Sequence, residues 1–345
     1  MSSKFDRITT QHAESISAET QTYLPIMVKR IMRSVKTSQK LIVGHISSIL
    51  GAYGIKGGFE SKEEALRFLN LAASSETRNE LLQAIMSITD DDDMRRKLLA
   101  WYDARATKGR LTNRQVLSDI ITVEAKRLGL RIDKTMTEGL SAVVGETVDK
   151  SAYSMAKAVG TSISFTQPNR EQIIGILHRN YSPAYSEILA NGYGRTAKEQ
   201  IIGGLLAGDD VHAISRKVAS ATESELWKAK RFVRTEITMS SNAAEIYHFK
   251  RAGYTQYRYH ATFDERTCPR CGQMHGKIID IDDRQQGKNF PPLHENCRCH
   301  ITAILDDDDL TEQKRRAKDG SGKYVLVPAD MTFAEYKKRF LNPPS

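Results

Sequence analysis

All four cysteines of this 345-residue chain lie between Cys268 and His300, in CPRCGQMHGKIIDIDDRQQGKNFPPLHENCRCH, with three of its nine histidines. Thiolate and imidazole are the ligands of tetrahedral zinc, which takes four of them at about 2.0–2.3 Å. Cys268-Pro-Arg-Cys271-Gly272 predicts a tight turn with both thiols facing one point, Pro269 presetting the bend and Gly272 letting the backbone curl. If Cys297 and Cys299 lie on one strand, their alternation puts both thiols on the same side. His294 can arrive from the preceding turn. The expected metal set is therefore Cys268, Cys271 and Cys297, completed by Cys299 or His294, with the remaining donor behind the ligands. His300 is a sixth candidate, and His275 reads as a surface loop residue. Such a surplus of protein ligands leaves no open position, so the zinc is expected to be structural. Two disulfides would use the same cysteines. The opening MSSKFDRITTQHAESISAETQ has no secretory pattern, however, so a reducing cytoplasm is expected.

The elements that must position these residues read as mainly α, followed by a small α+β module stapled by zinc. Three segments are expected: a helical region over 1–221, the module over 222–305, and a charged tail with a short helix over 306–345. SKEEALRFLNLAA opens with a capping box, Ser61 with Glu64, and continues on a helical stripe. NRQVLSDIITVEAKRLGL predicts another helix, with Gly129 near its end. Asn169 and Ser182-Pro183 look like further helix entrances. The small-residue stretch from Ser118 to Gly160 suits closely packed helices. TDDDDMRRKLL and LDDDDLTEQKRR each fit an acidic helix start followed by bases.

Thr222 with Glu225 predicts the start of the helix that carries Arg234-Thr235-Glu236, and Gly253 its left-handed stop. YTQYRYHATFD, GKIIDI, CRCHITAIL and YVLVP are strand candidates, and Thr332 to Glu335 opens a final capped helix. Consecutive helical residues point about 100° apart, so the Arg-Thr-Glu triplet cannot form one catalytic cluster. Arg234 and Glu236 are expected to clamp the helix onto the module through ion pairs, or to contact a partner.

The formal net charge is +9, from 51 Lys plus Arg against 42 Asp plus Glu, which makes a polyanionic neighbour plausible. No long Lys/Arg block concentrates that charge. No apolar run is long enough for a membrane span. Gly-rich phosphate loops, Ser-His-Asp arrangements and HExxH are absent.

With those residues in view, the Arg-Thr-Glu helix, DERTCPRCGQMHGKII and PPLHENCRCHITAI together resemble the Mu F-type head morphogenesis domain of tailed-phage minor head proteins, over about residues 229–304. The resemblance implies a non-enzymatic virion or procapsid component, made in the host bacterial cytoplasm and held in the phage head near the portal. It further implies portal, capsid and scaffold proteins as partners, the helical region as the docking part, and packaged double-stranded DNA as the neighbour of the positive charge. The role would be head assembly, genome retention or ejection. A zinc-stabilised HNH-like nuclease is the rival, with His260, His275 and Asp264 available, yet an Asp-His start and a second CxxC are missing. A plain non-specific DNA-binding protein is the other alternative. About 40 residues follow Ile304, too few for an independent effector enzyme.

Overall fold

The architecture is that of a computed structural model, which describes residues 11, 13–89, 91–108, 111–159, 170–180, 184–304, 314–328 and 331–341. Among the described residues, a helical stretch over 13–20 is followed by the helices α1 Tyr23–Ala52, α2 Lys62–Asn70, α3 Ser75–Met86, α4 Asp92–Lys108, α5 Asn113–Val159, α6 Arg170–Asn180, α7 Ala184–Leu206 and α8 Val211–Arg251. Then follow β1 Gln256–His260, α9 Pro269–Met274, β2 Ile278–Asp280, β3 His300–Ala303, β4 Lys314–Lys318, β5 Tyr324–Pro328 and α10 Phe333–Tyr336, with a π-turn over Lys337–Leu341. Mostly helical with small sheets near the C-terminus, this matches the expected mainly α architecture with a small C-terminal α+β part. The chain divides into two compact units, one of 1–27, 136–182 and 230–345, the other of 28–135 and 183–229.

The second unit is helical. Ile31, Ile42, Ile46 and Ile49 of α1 are buried, as are Leu69 of α2, Leu81 and Ile85 of α3, and Val116, Ile120 and Leu128 of α5. Ser61 accepts from the Glu64 amide as predicted, while the Glu64 carboxylate returns to the amide of Glu60 rather than to that of Ser61. The acidic start of α4 is also as predicted: Asp91 caps Met94, and Arg95, Arg96 and Lys97 pair with Asp92 and Asp93. Gly129 does not end its helix. It lies inside α5, where a Cβ would stand 3.5 Å from that of Ala190 on α7, and a Cβ on Gly194 of α7 would meet that of Ala125 at 2.8 Å. Small residues here serve helix contact rather than termination.

Thr222 is likewise no helix start. α8 runs through it unbroken, and its hydroxyl donates to the Ala219 carbonyl one turn back, an option open to any mid-helix threonine. Gly253 does stop α8, at φ 84°. Asn169, Ser182-Pro183 and the LDDDDLTEQ run lie outside the described residues. The bases after that run stand on strand β4, not on a helix.

In the first unit, β1 is the central strand of a three-stranded antiparallel sheet, ordered β2-β1-β3. Tyr257 and Tyr259 pair with Ala303 and Ile301 on one face, Arg258 and His260 with Thr302 and His300 on the other. Tyr257, Arg258, Tyr259 and His260 are all buried, so neither face is wet. The β4–β5 hairpin brings Ala317 and Val327 to the same core as Tyr259, Phe263, Cys271, Cys297 and Cys299. Thr332 and Glu335 form the predicted capping box of α10.

Phe333 of α10 explains a glycine. A Cβ on Gly272 would fall 2.1 Å from the Phe333 ring, and Gly272 has no left-handed φ, so close approach, not turn geometry, requires it. Gly272→Ala is expected to destabilise the C-terminal module by about 1–3 kcal/mol, the usual penalty of overpacking. A lowered urea midpoint at unchanged slope would register it, and Gly272→Ala with Phe333→Leu should recover most of the loss.

Candidate metal centre

The turn that presents the first two thiols is the start of α9. Cys268 is its N-cap, the Cys268 sulfur accepts from the Cys271 amide at 3.4 Å, and Pro269 occupies the first turn. Arg270 donates to the carbonyls of Leu293 and Gly287, tying this turn to the loop that brings the second pair.

Cys297 and Cys299 are not on a strand; β3 begins one residue later, at His300. The reason lies in where their carbonyls go. Thr238 of α8 donates to the Cys297 carbonyl at 2.8 Å, Asn242 to the Cys299 carbonyl at 3.1 Å, and Thr262 to the Arg298 carbonyl at 2.7 Å. Side chains thus replace ladder partners, and the segment is fixed without strand pairing. Just upstream, Arg231 meets Glu295 at 2.9 Å, Arg234 donates to Asn296 Oδ1 at 2.7 Å, and Thr235 accepts from the Asn296 amide at 2.8 Å. Asn296 sits at φ 65°, a left-handed bend that Asn tolerates. Residues 231, 234, 235, 238 and 242 follow helical spacing, so one face of α8 grips the whole segment.

All four cysteines are free thiols. Cys268, Cys271 and His294 form one group of potential ligand atoms within 4.8 Å of one another, and Cys271, Cys297 and Cys299 form a second. Cys271 belongs to both. His294 Nε2 is 3.3 Å from the sulfurs of Cys268 and Cys271, and Cys271 Sγ is 3.9 Å from Cys297 Sγ. A tetrahedron with bonds of about 2.3 Å has edges of about 3.8 Å, close to the Cys271–Cys297 separation, while Cys297 meets the Cys268–His294 group only through Cys271. The tautomer fits as well. His294 Nδ1 lies 2.7 Å from the Glu295 carbonyl, to which only a protonated nitrogen can donate, leaving the Nε2 lone pair toward the sulfurs.

Packing of thiols against one another splits their acidities. Hydrogen bonding with Cys297, then with Cys299, pushes Cys271 far up, while hydrogen bonds from Cys271 and Cys299 hold the Cys297 thiol well below its ordinary value.

His300 belongs to neither group. It stacks on His260 with centroids 5.3 Å apart and planes within 5°. His275 is half-buried rather than a surface loop residue, with its ring 4.6 Å from Phe263 and Nδ1 accepting from the Ala261 amide. Asp264 takes both Arg298 guanidinium nitrogens; burial pushes its carboxyl up, but Arg298 and Thr267 outweigh that and hold it below the usual range. The aspartate of DERTC and the arginine of CRC are thus one ion pair that joins the supports of the two thiol pairs. Sequence reasoning missed it, along with Thr238 and Asn242; a polar stripe at 231, 234, 238 and 242 was the available signal.

Residues 195–302 match the family described as Phage Mu protein F like protein. The family suspected from the motifs is the family found, and the match begins about 30 residues earlier than they do. Minor head protein GP7 of Bacillus phage SPP1 is 25% identical over 153 residues, 40% of this chain and 49% of the relative. The chain thus matches about half the length of that relative. No solved structure gives a significant match. Among the described residues, no helix is long and apolar enough to cross a membrane.

Glu236, on the helix that makes the grip, is 4% exposed, forms no ion pair among the described residues, and burial raises its pKa to about 7. Glu245 is raised by burial to about 8, with Ser151 donating to it at 2.6 Å. For an acid whose folded pKa exceeds its unfolded value of about 4.3, stability is greatest at low pH and declines as pH rises toward the folded pKa. Denaturant stability should therefore fall between about pH 5 and 7, and Glu236→Gln should flatten that slope and gain a few kcal/mol at the upper end. A Glu236→Gln profile parallel to that of the native chain would contradict this.

A second outcome concerns the grip. Thr238→Val leaves the Cys297 carbonyl buried without its donor, and should cost about 1–3 kcal/mol in chemical denaturation.

Proposed function

We propose that this chain is a phage minor head protein, a non-enzymatic component of the virion or procapsid associated with the portal and with capsid or scaffold proteins. It acts in head assembly or in retention and ejection of the packaged DNA. The observation that carries the reading is the family match over 195–302, whose motif residues are used in mutual support: Asp264 with Arg298, Arg234 with Asn296, and the cysteines with His294. The helical part before the module serves as the docking region.

Within this reading the C-terminal module holds one structural zinc on Cys268, Cys271, Cys297 and His294. His294 completes the set because its Nε2 faces two sulfurs and its tautomer is set from behind. Cys299, fully inside, supports the Cys297 sulfur instead. When bound, the ion supplies cross-linking and no open position for a reactant. Its contribution to the module's stability is on the order of 10 kcal/mol.

The nuclease alternative draws on the same histidines and Asp264. His260 is buried and within 2.9 Å of Thr302 Oγ1, and Asp264 is engaged by Arg298, which supports packing roles for both. Magnesium-dependent DNA cleavage lost on changing His275 or His294 would favour that alternative.

Isolated particles should contain this chain, with about one zinc per copy by elemental analysis. His294→Ala and Cys271→Ala should lose the metal, while Cys299→Ala should retain it with about 10–100-fold weaker affinity, as for a residue behind the ligands. Assembled heads without the chain would overturn the virion role, and zinc-free native protein the metal assignment.

A further inference from the structure

Helix α1 carries Lys29, Arg30, Arg33, Lys36 and Lys40 and, over its thirty residues, no Asp or Glu. At about 100° per residue, Lys29, Arg33, Lys36 and Lys40 fall within an arc of about 60°. All four are exposed, and none forms an ion pair among the described residues. The buried positions of the same helix, among them Ile31, Ser38, Ile42, Ile46 and Ile49, lie on the opposite side. Elsewhere the chain balances such bases, as where Arg95, Arg96 and Lys97 on α4 each find an aspartate one turn away. Like charges at this spacing repel along a helix, so an unbalanced row is unfavourable for folding alone.

We infer that this stripe is a docking surface for the phosphate backbone of duplex DNA. Four cations spaced about 5–6 Å apart cover about 16 Å of helix, against one phosphate charge per about 1.7 Å of duplex axis. The stripe presents no aromatic side chain on which an unpaired base could stack, which favours duplex over single strands. The apolar face of α1 is buried in its own core, so the helix has no second face to sink into a lipid surface. Recognition is of charge and is blind to base sequence, since nothing in the row reads a base edge. The choice of DNA as the polyanion rests on the head-protein reading; the stripe itself does not. Linear inspection finds no Lys/Arg block because the bases are three and four residues apart, and only helical winding gathers them.

The test is fluorescence anisotropy of the full chain with a short random-sequence duplex, titrated between about 50 and 200 mM NaCl, with anionic vesicles and an acidic polypeptide as separate probes. The quadruple variant Lys29→Gln, Arg33→Gln, Lys36→Gln, Lys40→Gln should reduce the slope of log affinity against log salt by about 3–4. Each single substitution should remove about one. An equal-charge control, Lys56, Lys62, Lys277 and Lys288 to Gln, should leave the slope near that of the native chain. If the quadruple variant loses its helical signal, the single substitutions carry the test. A native slope in the stripe variants, or preference for vesicles or the acidic polypeptide over duplex, overturns the inference. That result would leave particle association untouched, whereas absence from particles with intact stripe-dependent binding would sink only the head-protein reading.

Discussion

A thiol cluster needs segments distant in sequence to arrive at one point, and sulfur itself gives little directional help before a metal binds. In this chain the arrival is arranged by backbone carbonyls. Those of Cys297, Arg298 and Cys299 would orphan three acceptors if buried without partners, and each finds a side-chain donor from Thr238, Thr262 or Asn242. A strand would have satisfied them through a ladder but would have aimed the segment along the sheet. Donors at helical spacing on α8 satisfy them while setting the segment across the helix, so both thiols enter the core beside Cys271. The geometry of the donor set is therefore a consequence of hydrogen-bond accounting on one helix face.

Electrostatics reinforce that placement. The two loops bearing the thiol pairs each contribute one charged residue to the buried Asp264–Arg298 pair. Breaking such a pair on one side leaves an uncompensated charge, so the loops cannot separate cheaply. Arg270 adds a second tie, from α9 to the carbonyls of Leu293 and Gly287. Glu236 and Glu245 run against this trend: both are buried on α8, neither forms an ion pair among the described residues, and burial raises the pKa of each. Their environment favours the protonated form, in which they behave as neutral polar groups inside a helix interface.

Legibility divided along physical lines. The clustering of Cys268, Cys271, Cys297 and Cys299 was visible because thiols are rare and their spacing is local. Helix starts with a side-chain signature, at Ser61 and Thr332, were visible for the same reason. Thr222 and Gly129 misled because a cap residue or a glycine has two uses, and only tertiary contact chooses between them. Gly129 is spent on approach to Ala190, and Thr222 bonds back along its own helix. Thr238 and Asn242 were legible only as part of a polar stripe on a long helix, since a hydroxyl or amide side chain carries no mark of which carbonyl it will meet. Arg234 was singled out, but its partner is the neutral Asn296 rather than an acid, which no pattern of charges could have announced.

The same distinction governs the overall charge. A net +9 constrains no surface by itself, because 51 bases and 42 acids can pair almost completely. What matters is where pairing fails. On α4 acids and bases alternate at one-turn intervals and cancel, while on α1 the four exposed bases Lys29, Arg33, Lys36 and Lys40 meet no acid along the helix and form no ion pair among the described residues. Periodicity of 3.6 turns a scattered composition into a line of unscreened cations on the wet side and a line of isoleucines on the dry side. A helix built this way has its folding secured by the apolar face, which frees the opposite face to carry repulsion that folding alone would not select.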